Sequence, residues 1–274
     1  MADTADISDQ FRLDGKAALV TGAGKGIGRG IALTFAKAGA DLALVARTKE
    51  DLDTVAEEIR SLGRNAAAIP ADVTDIEGLG DVVERAAGAL GGLDILVNNA
   101  GGVEQLGTYM DMTVAILENA FRFNVSAPFE LGRHAVPHML ARGGGAIVNI
   151  GSMSGMQNER GFLPYSLAKS ALSKFTQLTA VELAPRVRVN AILPGCVETE
   201  PLRGFMDAMP DVRAGLESKT RCAETALRTT LALQLCFSHL LRRRGSRESC
   251  SRSTAPPRRD CSPTRNPTSR EEFP

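Results

Sequence analysis

Tyr165 and Lys169 stand four residues apart, as Y-x-x-x-K, in a stretch of helical character. On a helix this spacing puts both side chains on one face. A free phenol titrates near ~10 and is a poor proton carrier at neutral pH. An ammonium beside it stabilises the phenolate, which brings the phenol closer to the pH where it can both give and take a proton. Tyr165 is therefore the candidate acid–base residue and Lys169 its partner.

A second group of residues is suited to holding a phosphate. Gly22, Gly26 and Gly28 lie in TGAGKGIG with the spacing G-x-x-x-G-x-G. The strict G-x-G-x-x-G pattern is not met, because Ile27 occupies the place of its last glycine. The physical need is the same: a sharp turn, backbone N–H groups close to a pyrophosphate, and a helix packed close to a strand. The next apolar run, LALVA, ends at Ala46 and is followed by Arg47. An NAD site usually carries a carboxylate there for the ribose hydroxyls. Lys25 and Arg47 give two cations and no acid, which favours the 2′-phosphate of NADP(H), with NAD(H) as the second option. Asp72, in ADVTD, either accepts a hydrogen bond from the adenine amine or caps the next helix.

These residues need a scaffold, and the apolar pattern supplies one. Short apolar runs at 16–20, 42–46, 67–70, 93–101, 145–152 and 187–195 predict strands. Helical patterns fall between them: RGIALTFAKAGA, about Lys49–Leu62, about Ile76–Leu90, roughly Thr113–Arg142, and Tyr165–Leu183. Alternating apolar strands and helices predict an α/β fold, a doubly wound parallel sheet covered on both faces. Ligands bind such sheets beyond the carboxyl ends of the strands. The glycine turn, NNAG, Ser152 and Pro194–Gly195 all follow strand ends, so they are expected to converge.

Composition excludes other classes. The 274 residues are 43% apolar and 23% charged, which is ordinary for a globular protein. No run approaches the ~20 apolar residues that span a bilayer, so no membrane role is expected. The start, MADTADISDQ, has no apolar core of a secretory signal. Cys196 is the one cysteine before residue 221, which fits a reducing, cytoplasmic setting and a packing role. His134 and His138 are four apart on a helical stretch, but no third ligand of suitable spacing accompanies them, so no metal is expected. Methionines in 153–156 and 206–209 are placed to line a substrate pocket or its lid.

The ordered set TGAGKGIG (21–28), ADV (71–73), NNAG (98–101), Asn124 in FNVS, Ser152, YSLAK (165–169) and PGCVET (194–199) resembles the short-chain dehydrogenase/reductase family over about residues 11–220. The resemblance implies a Rossmann-like single domain and an oxidoreductase that interconverts a secondary alcohol and a ketone by hydride transfer. It implies Tyr165 as general acid–base and Ser152 as donor to the substrate oxygen. Lys169 would hold the nicotinamide ribose and depress the Tyr165 pKa. Asn124 would hold a relay water; read from the residues alone, it distorts a helix or is a satisfied polar group. The implied cofactor contacts are Gly22, Lys25, Gly26, Ile27, Gly28, Arg47, Asp72, Val73, Asn98, Ala100, Gly101, Tyr165, Lys169, Pro194, Gly195, Val197 and Thr199. The partners implied are a small alcohol or ketone and further copies of the chain, as a homo-tetramer or dimer.

The resemblance stops near residue 220. Residues 221–274 hold 11 Arg, no Lys and five acids, a balance of +6, in a chain whose 32 basic and 32 acidic residues cancel. Four of the five cysteines lie there and only one of the 27 glycines. The segment lacks the family's closing strand with its V-T-G…V-D-G motif, and its end, STAPPRRDCSPTRNPTSREEFP, reads as disordered. Translation out of frame from about Thr220 accounts for this. Starting from the third base of each codon, suitable synonymous choices spell PLRRDGTPDDI and then LFLSSPAASWVTGKLLEVDGA. The expected organisation is a flexible start at 1–10, a dinucleotide-binding domain at 11–220, and an atypical tail at 221–274.

Two further functions compete with the first. A catalytically impaired, dinucleotide-binding relative would follow from the aberrant tail. Nucleic-acid binding is disfavoured, because the tail's arginines lack interleaved aromatics and the rest of the chain is acidic.

Overall fold

The computed structural model describes residues 11–195. Among them, six strands form one sheet in the order β3-β2-β1-β4-β5-β6, with every pairing parallel. The strands are β1 (Ala17–Thr21), β2 (Asp41–Ala46), β3 (Ala66–Pro70), β4 (Ile95–Asn98), β5 (Gly145–Ile150) and β6 (Val187–Ile192). The helices between them are α1 (Gly26–Lys37), α2 (Lys49–Ser61), α3 (Leu79–Leu90), α4 (Val114–Phe121), α5 (Ala127–Ala141) and α6 (Leu163–Leu183). The expected Rossmann-like, doubly wound sheet is what forms. The chain runs outward through β2 and β3, then returns to β4 on the other side of β1, so the topological switch lies between β1 and β4.

Alternation along the strands divides the core in two. Ala18, Val20, Leu42, Leu44, Val97 and Val148 face α1 and α2, and join Phe35, Leu52 and Ile59. Leu19, Ala43, Val45, Leu96 and Ile147 face the other way, onto α3 and α5, and join Val83, Leu131 and Met139. The amino ends of the strands are tied together by Asp94. Its carboxylate accepts from Ala17 N at 3.0 Å and from Arg142 Nε at 3.0 Å, and lies 3.3 Å from Lys16 Nζ. Arg142 also donates to the carbonyls of Gly91 and Gly15. This clamp leaves the carboxyl ends of the strands for the functional site.

Two expectations change in detail. The helix expected from about Ile76 starts at Leu79, because a turn closed by Asp75 N on Asp72 O comes first. The single helix expected over Thr113–Arg142 is interrupted by a π-helical turn at Arg122–Ser126, between α4 and α5. The closing strand, residues 1–10 and the tail 221–274 lie outside the described residues, as do Cys196, the methionines of 206–209, Val197 and Thr199. No helix among the described residues is long and apolar enough to cross a membrane.

Candidate active site

The glycine turn follows β1 directly. Gly22 and Gly26 adopt positive φ, +64° and +55°, which favours glycine. A Cβ on Gly28 would collide with the Gly22 carbonyl oxygen, so the start of α1 can lie against the turn only without a side chain there. Helix α1 has no side-chain cap and no acidic residue in its first turn. Its free N–H groups and positive dipole end therefore remain available to an anion. Ile27 packs against the core, and its contribution to the turn is one of packing and backbone.

Thr21 and Asn99 fix this turn to the end of β4. Thr21 Oγ1 accepts from Asn99 N and Ala100 N, each at 3.0 Å, and donates to Val97 O at 3.2 Å. Asn99 Nδ2 donates to Thr21 O at 2.9 Å and Gly22 O at 3.2 Å. Neither residue was singled out from the sequence, although Asn99 lies inside NNAG and Thr21 opens TGAGKGIG. Asn98 corrects an expectation. Its side chain is buried beneath the sheet's end and donates to Asn149 Oδ1 at 2.8 Å, while Asn149 donates to Thr176 Oγ1 at 2.9 Å. Asn98 thus braces β4, β5 and α6 rather than facing a cofactor, because neighbouring residues at a strand end point in opposite directions.

The cationic end of the site also differs from the sequence reading. Lys25 lies 3.4 Å from Asp51, an acid in the first turn of α2. Arg47 is exposed, and its charge acts on Asp72. Two cations stand there as expected, but each has an acid nearby. The Asp72 carboxylate accepts from Thr74 N at 2.9 Å and Thr74 Oγ1 at 2.8 Å. Those hydrogen bonds hold it below the usual carboxylate range, with Arg47 adding to the effect against its burial. The capping role is thus the one observed. Val73 is buried in the core beside it.

Three elements bring the catalytic candidates together. Ser152 caps the 3-10 turn Met153–Gly155 after β5, its Oγ accepting from Ser154 N at 3.1 Å. This turn is joined to the end of β6 through Met153 N on Pro194 O at 3.0 Å, which brings Pro194–Gly195 beside Ser152. Tyr165 and Lys169 share a face of α6, with Lys169 Nζ 5.8 Å from the centre of the Tyr165 ring. Ser152 hydrogen-bonds the Tyr165 phenol. Asn124 is fully buried in the π-helical turn. Its Nδ2 donates to Gly102 O and Ala120 O, and its Oδ1 accepts from Gly102 N. A helix distortion and a satisfied polar group are therefore both realised at Asn124. A Cβ on Gly101 would lie 2.8 Å from Asn124 Oδ1 and 3.1 Å from Lys169 Nζ, so these two polar groups border one small space kept open by a missing side chain.

Electrostatics departs from the simple expectation. Burial pushes the Tyr165 phenol above its ordinary value, and the Ser152 hydrogen bond pulls partly the other way. Lys169, itself buried, donates to Ile150 O at 2.8 Å, and burial lowers its ammonium to about 8. Desolvation thus outweighs the mutual stabilisation foreseen from spacing alone. His134 and His138 each pair with a carboxylate, Glu130 at 3.0 Å and Glu84 at 2.9 Å.

The uncapped helix start, the side-chain-free turn and the space at Gly101 fit a dinucleotide: pyrophosphate at α1, ribose hydroxyls at Lys169. The arrangement can bind an anion, donate to a carbonyl oxygen and move a proton.

Comparison with known proteins agrees with this geometry. The profile described as short chain dehydrogenase matches residues 16–209. An uncharacterised oxidoreductase of Mycobacterium tuberculosis is 46% identical over 215 residues, covering 78% of this chain and 81% of its own. A solved 7α-hydroxysteroid dehydrogenase, in complex with NADH and 7-oxo glycochenodeoxycholic acid, is 38% identical with a TM-score of 0.69, over 72% of this chain and 77% of its own. A short chain dehydrogenase of Burkholderia cenocepacia in complex with NADP is 39% identical with a TM-score of 0.65, over 69% and 77% of the two chains.

Proposed function

Because the chain belongs to the short chain dehydrogenase family, oxidoreductases acting on CH–OH donors, we propose that it interconverts a secondary alcohol and a ketone by hydride transfer, with NADP(H) favoured over NAD(H). The observation that carries this reading is the Ser152–Tyr165–Lys169 cluster at the carboxyl edge of the sheet. When bound, the dinucleotide supplies or accepts the hydride.

The chain's own residues do the rest. Tyr165 passes a proton to or from the substrate oxygen, and Ser152 donates to that oxygen as charge develops on it. Lys169 holds the ribose hydroxyls beside Asn124, which anchors the space for a relay water. The glycine turn and the start of α1 take the pyrophosphate. Gly22, Gly26, Gly28, Ala100 and Gly101 line the dinucleotide; Pro194, Gly195, Val197 and Thr199 meet its nicotinamide end. Lys25 and Arg47 are the groups that favour a 2′-phosphate.

Met153 and Met156 present exposed apolar surface beside Ser152, which supports an apolar substrate. The neighbour holding a 7-oxo steroid acid makes alicyclic ketones the first class to test. Exposed Phe129, Leu178 and Val181 on α5 and α6 support a homo-dimer or tetramer.

The test is a screen of alicyclic ketones, following loss of reduced-nicotinamide absorbance. Tyr165→Phe is expected to lower turnover by ~10²-fold or more while dinucleotide affinity stays unchanged. Unaltered turnover in that variant rejects the assignment.

A further inference from the structure

On the reading that the site binds a nicotinamide dinucleotide, we infer that Asp51 sets how strongly the chain distinguishes NADP(H) from NAD(H), by holding Lys25 as an internal counter-ion. Lys25 occupies the residue before α1, in extended backbone, and its ammonium lies 3.4 Å from the Asp51 carboxylate. The pair is half-open to solvent, with side chains 50% and 27% exposed. It does not meet by chance of side-chain reach. A Cβ on Gly24 would lie 3.0 Å from Asp51 Cβ and 3.7 Å from Ala46 Cβ, so the first turn of α2 is packed onto the glycine turn at the end of β2. In a sheet of this topology the adenine ribose is held at that end.

The two dinucleotides meet this pair differently. A ribose 2′-hydroxyl is uncharged and leaves the Lys25–Asp51 pair intact. A 2′-phosphate must draw Lys25 away from Asp51 and then lies near a like charge. Asp51 therefore penalises NADP(H) selectively and lets the site accept both forms. The sequence shows two cations and no acid at the end of β2; the fold brings in the acid from the following helix. An exposed pair of this kind shifts an equilibrium by ~1.5–5-fold, and repulsion of the phosphate adds to it.

The experiment titrates the full chain with NADPH and NADH, following fluorescence of the bound reduced nicotinamide at low ionic strength. Asp51→Asn is expected to tighten NADPH ~3–10-fold and to leave NADH within about twofold. Repeated together with Lys25→Met, the same Asp51→Asn change should gain less than about twofold. Equal changes for both dinucleotides overturn the role of Asp51 while dinucleotide binding stands, as does a full NADPH gain without Lys25. Failure of the unaltered chain to bind either dinucleotide overturns the underlying reading and this inference with it.

Discussion

The Lys169 ammonium donates to the Ile150 carbonyl at 2.8 Å while lying 5.8 Å from the centre of the Tyr165 ring. The helix that carries the phenol is thereby joined to the end of β5, through a charge with no access to water.

Burial lowers this ammonium from 10.5 to about 8. Between those values the unfolded chain holds a proton that the native chain has shed, so Lys169's contribution to stability rises with pH across that window. Below about 8 the native state bears the full cost of the buried charge, about 3 kcal/mol. Between pH 7 and pH 10 the stability difference between parent and Lys169→Met should move by about 2–3 kcal/mol in the parent's favour, read by urea unfolding at each pH. A difference constant with pH contradicts this. In the reductive direction kcat/KM should fall above pH 8 or so, as the ammonium deprotonates.

Gly155 sets the distance between Ser152 and Tyr165. A Cβ there would lie 2.8 Å from the Lys169 carbonyl carbon and 2.9 Å from Ser170 N, backbone atoms that cannot step aside. Ser170 Oγ donates to the Gly155 carbonyl at 2.6 Å, holding the turn against α6. Gly155→Ala should lower kcat by ~10–100-fold through displacement of Ser152, with dinucleotide affinity within about twofold. Steady-state kinetics beside a binding titration separates the two quantities, and a proportionate loss of both refutes the positioning role.

The clamp at the opposite edge affects stability alone. Burial pushes the Asp94 carboxyl up, but Arg142, the Ala17 N–H and Lys16 together hold it below the usual carboxylate range. Its contribution is complete above the unfolded value of ~3.9 and is lost as pH falls through the native one. Asp94→Ala should cost about 2–3 kcal/mol at pH 7, and the deficit should shrink below about pH 4. Denaturant curves at both pH values check this; an undiminished deficit in acid argues against an ionic clamp.

We propose the out-of-frame origin of residues 221–274 as a property of the gene. Sequencing the DNA across the Thr220 codon tests it directly, since one shifted frame must encode the family-like ending. A chain with that ending restored should melt at least ~4 °C higher and turn over faster. Equal melting and turnover in the two chains count against it.

What the sequence revealed depended on distance along the chain. The glycine turn and Y-x-x-x-K were legible because their geometry is local: a turn needs its glycines, and a helix aligns residues four apart. The parallel sheet was legible from its apolar runs. Asn98 was misread because NNAG does not say which asparagine points inward; pairing of β4 with β5 decides it, putting Asn98 opposite Asn149. Asp51 was overlooked because its approach to Lys25 depends on how α2 packs on the glycine turn. The raised Tyr165 pKa follows from burial, which spacing cannot report.

The π-helical turn at Arg122–Ser126 holds one residue more than an α-helix would use, and that surplus sets the phase of everything after it. Deleting a single residue there would regularise the winding and rotate α5 by about 100°. Leu131, Ala135 and Met139 would swing away from the sheet, and Arg142 away from Asp94. A local irregularity that lodges Asn124 thus acts as a spacer for the whole downstream helix, and length variation should be tolerated poorly at this point.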